Sequence, residues 1–278
     1  MGEVPEAEAP DEGLDEAATE RLAELYEGGL AAERAGDLAA AAAAFHEVLR
    51  INPDDHGGVA IRLAAIGHGP APQKAPAAYI ATLFDQHAEA FDEILVEKLG
   101  YDVPALAAEA LRRLAPGPYR SMLDLGCGTG LAGIAMANSA QRITGVDLSE
   151  EMLALCDERE VYDQLFIGDV VQFLEEEEES HDLIVATDVL PYLGDLAPFF
   201  AAASACLASG GVIALSSESC EAGTWTVGRK HRFAHAPEYL TQLLSENGLF
   251  PLCLDPITVR MEEGAPVPGH LILAQCSA

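Results

Sequence analysis

The sequence predicts an α/β protein with a doubly wound, mostly parallel, seven-stranded sheet whose last strand is antiparallel, preceded by a small all-α region. From residue 122 onward, short β-rich runs alternate with helical runs, which is typical of parallel strands joined by crossover helices. The last two β-rich runs, Leu252–Met261 and His270–Gln275, leave no room for such a helix, so we expect an antiparallel hairpin there. Three prolines and two glycines in Gly67–Pro76 predict a linker before the sheet.

The alternation assigns each element of the sheet in order. The predicted parallel strands are Met122–Leu125, Arg142–Val146, Leu165–Ile167, Leu183–Thr187 and Val212–Leu215. The predicted helices are Leu131–Ala137, Glu150–Arg159, Val170–Glu177, Leu196–Leu207 and Pro237–Asn247. Because these helices connect successive parallel strands, they should cover both faces of the sheet.

The all-α region is predicted from two helical patterns between Leu22 and Asp55 that meet at the turn Ala35–Asp37. The residues at fixed offsets in this hairpin are Gly29, Gly36, Asp37, Ala41, Phe45, Val48 and Pro53. Their spacing resembles a tetratricopeptide (TPR) repeat. The hairpin could serve as a cap on the main domain or as a docking surface for a protein partner. We divide the chain into an acidic, disordered tail (1–20), a TPR-like region (21–69) and a main domain (70–278), with a linker at 70–76 and lid helices at 77–115.

Charge and composition exclude several classes of function. The 278 residues contain 15 Lys and Arg against 46 Asp and Glu, a formal charge of −31 that would repel nucleic acid and anionic membranes. No run approaches the length and apolarity of a membrane span, and the acidic first residues do not resemble a signal peptide. The six cysteines show no C-x-x-C spacing. We therefore expect reduced thiols, a cytoplasmic location, and no nucleic-acid or membrane partner.

Acidic residues mark the ends of four successive predicted strands. Asp124 stands at the entrance of the loop Gly126–Gly130, and Asp147, Asp169 and Asp188 follow the next three strands. Ligands of open α/β sheets bind outside the carboxyl ends of the strands, so these side chains should meet at one site. A glycine loop cradles anions through its N–H groups, but a carboxylate beside it would oppose a phosphate. The pattern therefore indicates a ligand without phosphate at the glycine loop.

This ordered set resembles the class I S-adenosylmethionine-dependent methyltransferases of the small-molecule type, over about residues 79 to 275. The resemblance implies S-adenosylmethionine as the cofactor, with Asp124 facing its methionine ammonium, Asp147 accepting both ribose hydroxyls and Asp169 accepting the adenine amino group. The residues that it implies for cofactor binding are Asp124, Gly126, Cys127, Gly128, Gly130, Asp147, Leu148, Met152, Gly168, Asp169, Val170 and Asp188.

Other interpretations of the same residues stay open. Glycines at a strand–helix turn can serve close packing alone, and Asp147 before Ser149 can belong to a helix N-cap. An acid about 20 residues beyond a glycine loop also occurs in nicotinamide oxidoreductases, but Leu131 stands where their third glycine would be. An interaction or assembly protein that binds the cofactor without turnover is the alternative from another functional class.

The methyl acceptor should lie between the end of the fourth strand and the lid. We expect Tyr79, Phe84 and Phe91 to face it from one side of a lid helix, although they could equally belong to the core. Methyl transfer depends mainly on alignment of the reactants, so few catalytic residues are needed. His235 is the first candidate for a general base, since imidazole titrates near neutral pH, and Tyr192 is the second.

The densest basic stretch, Gly228–Leu240, follows the fifth strand. Arg232 within it could clamp a carboxylate or phosphate, which predicts an anionic or neutral small-molecule acceptor. Alternatively, the stretch only offsets nearby acids. The histidines and cysteines show no metal-ligand spacing, so we expect no metal.

Overall fold

The computed structural model describes residues 16–221, 223–228 and 230–277. Most of the predicted acidic tail and Arg229 therefore lie outside the described residues. The helices are α1 (Glu16–Ala35), α2 (Leu38–Ile51), α3 (Val59–Ala65), α4 (Ala77–Asp85), α5 (Val103–Leu114), α6 (Leu131–Met136), α7 (Glu150–Asp157), α8 (Val170–Glu176), α9 (Ala197–Ala205) and α10 (Pro237–Glu246). The strands are β1 (Met122–Leu125), β2 (Ile143–Asp147), β3 (Gln164–Ile167), β4 (His181–Ala186), β5 (Leu207–Ser219), β6 (Trp225–Val227), β7 (Phe233–His235), β8 (Leu249–Glu262) and β9 (Ala265–Cys276).

The strands form one mixed sheet whose parallel part has the order β3-β2-β1-β4-β5. Strand β9 runs antiparallel to both β5 and β8, as the closing hairpin predicted. Strands β1 to β4 therefore end at the same edge of the sheet, and the strand order changes direction at β1. This is the edge at which open α/β sheets bind ligands.

The described residues contain nine strands in this sheet rather than the predicted seven. The two additional strands, β6 and β7, form a short hairpin, and β7 pairs in parallel with Glu218 and Ser219 at the far end of β5. Each has only three residues, which is too short for a period-two pattern to be recognised in a sequence. Strand β5 also extends well beyond the predicted Val212–Leu215.

Polar caps begin the helices that surround the ligand-binding edge. The Ser149 Oγ accepts the Met152 N–H at 3.1 Å, and Asp169 Oδ1 accepts the N–H groups of Val171 and Gln172. Such caps satisfy N–H groups that have no partner within the helix. Helices α7 and α8 therefore begin at fixed points directly beyond β2 and β3.

Apolar side chains cover both faces of the sheet. Leu123 and Leu125 of β1 pack with Phe199 and Phe200 of α9 on one face, and Met122 packs with the α5 and α6 residues on the other. Full burial of side chains of this size contributes about 1.5–3 kcal/mol each. This rigid double core fixes the ends of the central strands.

The helical region packs as α1 beside α2, with α3 against them. A Cβ on Gly29 would lie 2.5 Å from the Phe45 ring, so the glycine allows the two helices to approach closely. Arg62 of α3 pairs with Glu33 of α1 at 3.3 Å, and Glu33 also lies 3.6 Å from His231 in the β6–β7 loop. The first contact lies within the helical region, and the second joins that region to the sheet domain. Its assignment as TPR-like stays a prediction.

The linker is hydrogen-bonded to the loop after β4 through three backbone contacts. The Gln73 carbonyl accepts the N–H groups of Gly194 and Asp195, and the Ala75 N–H donates to the Tyr192 carbonyl at 2.8 Å. We call residues 73–75 the strap. The strap leads directly into α4, so it fixes the start of the lid.

Among the described residues, no helix is both long enough and apolar enough to cross a membrane.

Candidate active site

An open cavity lies at the carboxyl ends of β1 to β4, beneath the strap and the segment from α4 to the start of α5. Many of the predicted site residues line it: Phe84, Phe91, Gly126, Cys127, Gly128, Asp147, Leu148, Asp169, Val170, Asp188 and Tyr192. Strand ends and lid thus meet at one cavity, as the spacing of the strand-end acids predicted.

The glycine loop turns sharply away from β1. Gly126 and Gly128 have φ angles of +64° and +53°, in the left-handed region that favours glycine. A Cβ on Gly126 would lie 2.4 Å from the Val189 side chain, so this position requires glycine for space as well. Gly130, at φ +89°, begins α6 and faces Cys156 rather than the cavity. The first two glycines therefore bring bare backbone to the cavity wall, and the third serves packing.

Asp124 is buried beneath this loop, and only one of its two carboxylate oxygens has a hydrogen-bond partner among the described residues. Its Oδ2 accepts the Tyr162 hydroxyl at 2.6 Å, whereas its Oδ1 has no hydrogen-bond partner among the described residues. Burial raises the pKa of the Asp124 carboxyl to about 7. An unpartnered buried acceptor is costly, so this oxygen is suited to a donor supplied by a ligand. Asp124 is itself not among the described residues that line the cavity, so such a donor would reach it through water or past the glycine loop.

Asp147 connects the glycine loop to the end of β2. Its Oδ2 accepts the Gly128 N–H at 2.8 Å and its Oδ1 accepts the Ser149 N–H at 2.9 Å. Burial raises the pKa of Asp147, although these N–H groups oppose the shift. Each carboxylate oxygen can accept a second hydrogen bond. Asp147 therefore supports the glycine loop and the entrance of α7, whose N-cap is Ser149, and its role in cofactor binding stays a prediction.

Asp169 is both the N-cap of α8 and the partner of a strap residue. Its Oδ2 lies 2.9 Å from the Lys74 Nζ, which crosses the cavity from the strap. Gly168 and Met152 are not among the residues that line the cavity in the described chain; the Gly168 N–H donates to the Asp147 carbonyl, and Met152 is fully buried. A donor that approached Asp169 Oδ2 would have to share it with Lys74.

Two aspartates fasten the lid to the loops below it. Asp85, at the end of α4, accepts the Ser149 hydroxyl at 2.5 Å. Asp92 accepts the Thr129 hydroxyl at 2.6 Å and pairs with Arg159. Neither aspartate was predicted, because their partners lie far away in sequence. The lid is thus bonded to both loops that carry the predicted cofactor residues.

Of the three lid residues predicted to face the acceptor, two line the cavity and one belongs to the core. Phe84 and Phe91 line the cavity with their ring centroids 5.8 Å apart. Tyr79 instead packs on Gly58 and in a cluster with Ile61 and Phe233, outside the cavity wall. Lining residues that the sequence analysis missed include Ile80, Tyr101, Thr187 and Val189. Apolar residues of this kind carry no signal that separates a cavity wall from a core.

The structure corrects the assignment of Arg232 as an exposed clamp. Its Nη2 lies 2.5 Å from Asp188 Oδ1, its Nε lies 2.5 Å from Glu218 Oε1, and its Nη1 donates to the Tyr192 hydroxyl. Arg260 also pairs with Glu218, at 2.8 Å. Arg232 is not among the described residues that line the cavity. The Arg232 charge is balanced by acidic side chains of the same protein. This agrees with the alternative in which the basic stretch only offsets nearby acids.

The structure likewise contradicts His235 as a general base. The ring is fully buried, and its Nε2 lies 2.8 Å and 3.2 Å from the carbonyl oxygens of Leu193 and Gly194, to which it must donate. Burial lowers the pKa of His235 to about 4. A general base must reach the proton that it removes, and His235 lies outside the cavity lining. Its role is to hold the loop after β4.

Tyr192 does line the cavity, but as a neutral wall. Its hydroxyl accepts from Arg232, whose guanidinium carbon lies 4.7 Å from the centre of the ring. Burial holds the pKa of Tyr192 above its usual value. Lys230, in the same stretch, pairs with Glu263. His231 lies near Glu33, and burial lowers the pKa of His231 to about 4, so it carries no charge near neutral pH.

Residues 123–215 match the protein family described as "Methyltransferase domain". This part of the chain therefore resembles a methyltransferase domain. The matched residues run from β1 to the middle of β5, so they include all four strand ends that form the cavity. This agrees with the predicted resemblance to class I S-adenosylmethionine-dependent methyltransferases.

Two named methyltransferases are similar to parts of this chain. An 18S rRNA (guanine-N(7))-methyltransferase of Arabidopsis thaliana is 40% identical over 72 residues, which cover 25% of this chain and 25% of that relative. A ubiquinone biosynthesis O-methyltransferase of Idiomarina loihiensis is 29% identical over 115 residues, which cover 39% of this chain and 46% of the relative. The chain thus spans less than half of the length of either relative.

The fold resembles that of solved methyltransferases. A S-adenosylmethionine-dependent methyltransferase from Clostridium acetobutylicum superimposes with a TM-score of 0.54 at 17% identity, covering 70% of this chain and 100% of that one. At this identity the likeness shows the fold alone. The Rossmann-like sheet of the methyltransferase domain is therefore confirmed, with an antiparallel strand at its end.

Proposed function

We propose that this protein transfers a methyl group from S-adenosylmethionine to a small-molecule acceptor. The observation that carries the proposal is the unpartnered, buried Oδ1 of Asp124 beneath a glycine loop whose backbone lines the cavity. S-adenosylmethionine has no phosphate, and its amino acid end carries an ammonium. An ammonium donor would satisfy Asp124, whereas a pyrophosphate would be repelled by it. This asymmetry favours methyl transfer over nicotinamide chemistry.

The residues around the cavity fit such a cofactor. Asp124 and the backbone of Gly126–Gly128 would hold the amino acid end, Asp147 the ribose hydroxyls, and Asp169 with Leu148 and Val170 the adenine. The bound cofactor supplies an electrophilic methyl group on a sulfonium. The protein's own contribution is to orient the two reactants and to exclude water with the lid, and alignment of this kind can contribute roughly 7–11 kcal/mol.

A small acceptor is supported by the enclosure and charge of the site. The lid segment covers the cavity, so a bulky acceptor would have to displace the Asp85 and Asp92 contacts. The charge of −31 also disfavours a polyanion. These observations support a small molecule over nucleic acid, although one relative is an rRNA methyltransferase by name.

Calorimetric titration with S-adenosylhomocysteine tests the proposal. We expect saturable binding to the wild-type protein. Asp147→Ala should weaken it at least a hundredfold, because two hydrogen bonds to a charged group contribute roughly 1.5–3 kcal/mol each. Asp157→Ala is the matched control, since Asp157 is an exposed acid at the end of α7. Absence of binding to wild type at millimolar ligand would reject the proposal.

A further inference from the structure

The charged groups on the cavity wall are mostly acidic. The charged residues that line it within the described chain are Lys74, Asp147, Asp169 and Asp188. Lys74 is paired with Asp169 at 2.9 Å. The resemblance counts Asp188 among the cofactor residues, but Asp147 and Asp169 already serve the ribose and adenine of the proposed cofactor. We therefore reassign Asp188, the carboxylate on the β4 side of the cavity, to the acceptor.

Asp188 is held in place by the buried network behind it. Its φ angle of +64° is uncommon for a residue with a side chain, and its N–H donates to the Ser216 hydroxyl at 2.9 Å. The network pairs Arg232 and Arg260 with three carboxylates, those of Asp188, Glu218 and Glu262. The network therefore contains three carboxylates and two guanidinium groups, so it carries one more negative than positive group. A cation on the cavity side would balance the group, and a carboxylate would add to the excess.

Aromatic rings complete the same part of the wall. Phe84 lies edge-on to both Phe91 and Tyr192, with ring centroids 5.8 Å and 5.5 Å apart. Ring faces attract cations, and this attraction reaches about 2 kcal/mol where water is excluded. One face of the Tyr192 ring is already covered by the Arg232 guanidinium. The parts of these rings that line the cavity, together with the Asp188 carboxylate, form a surface suited to an ammonium group.

We propose that the methyl acceptor is a small cationic molecule carrying a protonated amine, bound between Asp188 and the rings of Phe84, Phe91 and Tyr192. This inference rests on the proposed methyl transfer and names the acceptor class for the same site. It reverses the anionic preference drawn from the basic stretch, because Arg232 and its described neighbours are already paired with acids.

Paired probes test the proposal on the wild-type protein saturated with S-adenosylhomocysteine. The pairs are 2-phenylethylamine with 3-phenylpropionate, pentylamine with hexanoate, and histamine with imidazolepropionate, each titrated by calorimetry. We expect at least one amine to bind roughly tenfold more tightly than its matched carboxylate. Equal or tighter binding of the carboxylate in every pair, or no binding of any amine at millimolar concentration, would overturn the proposal. If S-adenosylhomocysteine itself does not bind, the proposed function is overturned together with this inference. If S-adenosylhomocysteine binds but no amine is preferred, only this inference is overturned.

A matched pair of variants tests the position of the subsite. Asp188→Asn and Glu218→Gln each remove one negative charge from the same network, but of the two only Asp188 lines the cavity. We expect Asp188→Asn to weaken amine binding roughly tenfold or more, and Glu218→Gln to weaken it distinctly less, because Glu218 acts only through the charge of the network and has no contact with the amine. Equal losses in both variants would overturn direct contact with Asp188. If either variant fails to fold, the paired-probe series on wild type still decides the acceptor class.

Discussion

Asp124 links ligand binding to the protonation of one carboxyl. In the folded protein its pKa is about 7, against 3.8 in the unfolded chain, because burial penalises the ionised form. A group whose pKa is raised on folding contributes stability that is present below its unfolded pKa and lost as pH rises through its folded pKa. The ligand-free protein therefore loses this contribution between about pH 4 and pH 7. An ammonium donor restores the balance by favouring the ionised form.

Asp124→Asn should separate stability from binding. We expect the variant to have a higher thermal unfolding midpoint than wild type at about pH 8, because no charge has to be buried there. The variant should also bind S-adenosylhomocysteine more weakly than wild type. The affinity of the wild type should rise between about pH 6 and pH 8 as Asp124 ionises, and this rise should be smaller in the variant. Thermal scans and titrations at both pH values measure these effects. A variant that binds as tightly as wild type at both pH values would show that Asp124 has no ligand contact.

The individual residues differ in how far the sequence could predict them. Gly126, Asp147 and Asp169 lie at the ends of successive predicted strands. Because parallel strands end at the same edge of a sheet, their position along the chain was enough to predict that they meet. Lys74 is different, because its partner Asp169 lies 95 residues away. Arg232 was misjudged for a related reason, since a dense basic stretch does not reveal which acids the fold places around it. Contacts between elements that are distant in sequence have no local pattern.

At the scale of elements, the lid is held by polar contacts as well as by packing. Its two fastening residues, Asp85 and Asp92, lie at either end of the turn between α4 and the π-helical segment Glu93–Lys98. Each bonds to a hydroxyl on a different ligand-binding loop. The lid and the loops below it should therefore become ordered together.

Asp92→Ala should loosen the lid without unfolding the sheet. We expect weaker S-adenosylhomocysteine binding by about tenfold, because hydrogen bonds to a charged group contribute roughly 1.5–3 kcal/mol each. Backbone amides at 77–98 should also exchange faster with solvent. Glu97→Gln is the control, as an exposed acid on the same segment. Unchanged exchange at 77–98 in Asp92→Ala would contradict a fastening role.

The elements themselves followed the sequence closely where they were long or regular. The parallel strands and the closing hairpin were predicted because their periodicity and connections are distinctive. Strands β6 and β7 were not, because their pairing depends on the extension of β5 to Ser219. That extension also carries Glu218, so the missed hairpin and the misjudged Arg232 have the same origin.

At the scale of the whole molecule, the buried network around Glu218 joins three parts of the chain. Glu218 lies on β5, Arg232 precedes β7, and Arg260 lies on β8. Removing one partner of a buried ion pair leaves a charge that is neither hydrated nor paired. The network should therefore stabilise the arrangement of the sheet's far edge.

Arg232→Ala should destabilise the whole domain by about 3–5 kcal/mol, because Asp188 would lose its closest cation. Chemical denaturation of the full chain measures this free energy of unfolding. Lys230→Ala is the neighbouring control, since the Lys230–Glu263 pair is exposed and screened by solvent. The prediction fails if the two variants unfold at the same denaturant concentration.

The strap places a positively charged side chain, that of Lys74, at the edge of the cavity. Its backbone bonds to the loop after β4 lie on one side of the opening, and the Lys74 ion pair with Asp169 lies on the other. A ligand donor that reaches Asp169 has to share this carboxylate with Lys74. We therefore expect Lys74→Met to free Asp169 for the ligand and to tighten S-adenosylhomocysteine binding in calorimetric titrations, and an unchanged affinity would show that Lys74 does not compete for this carboxylate.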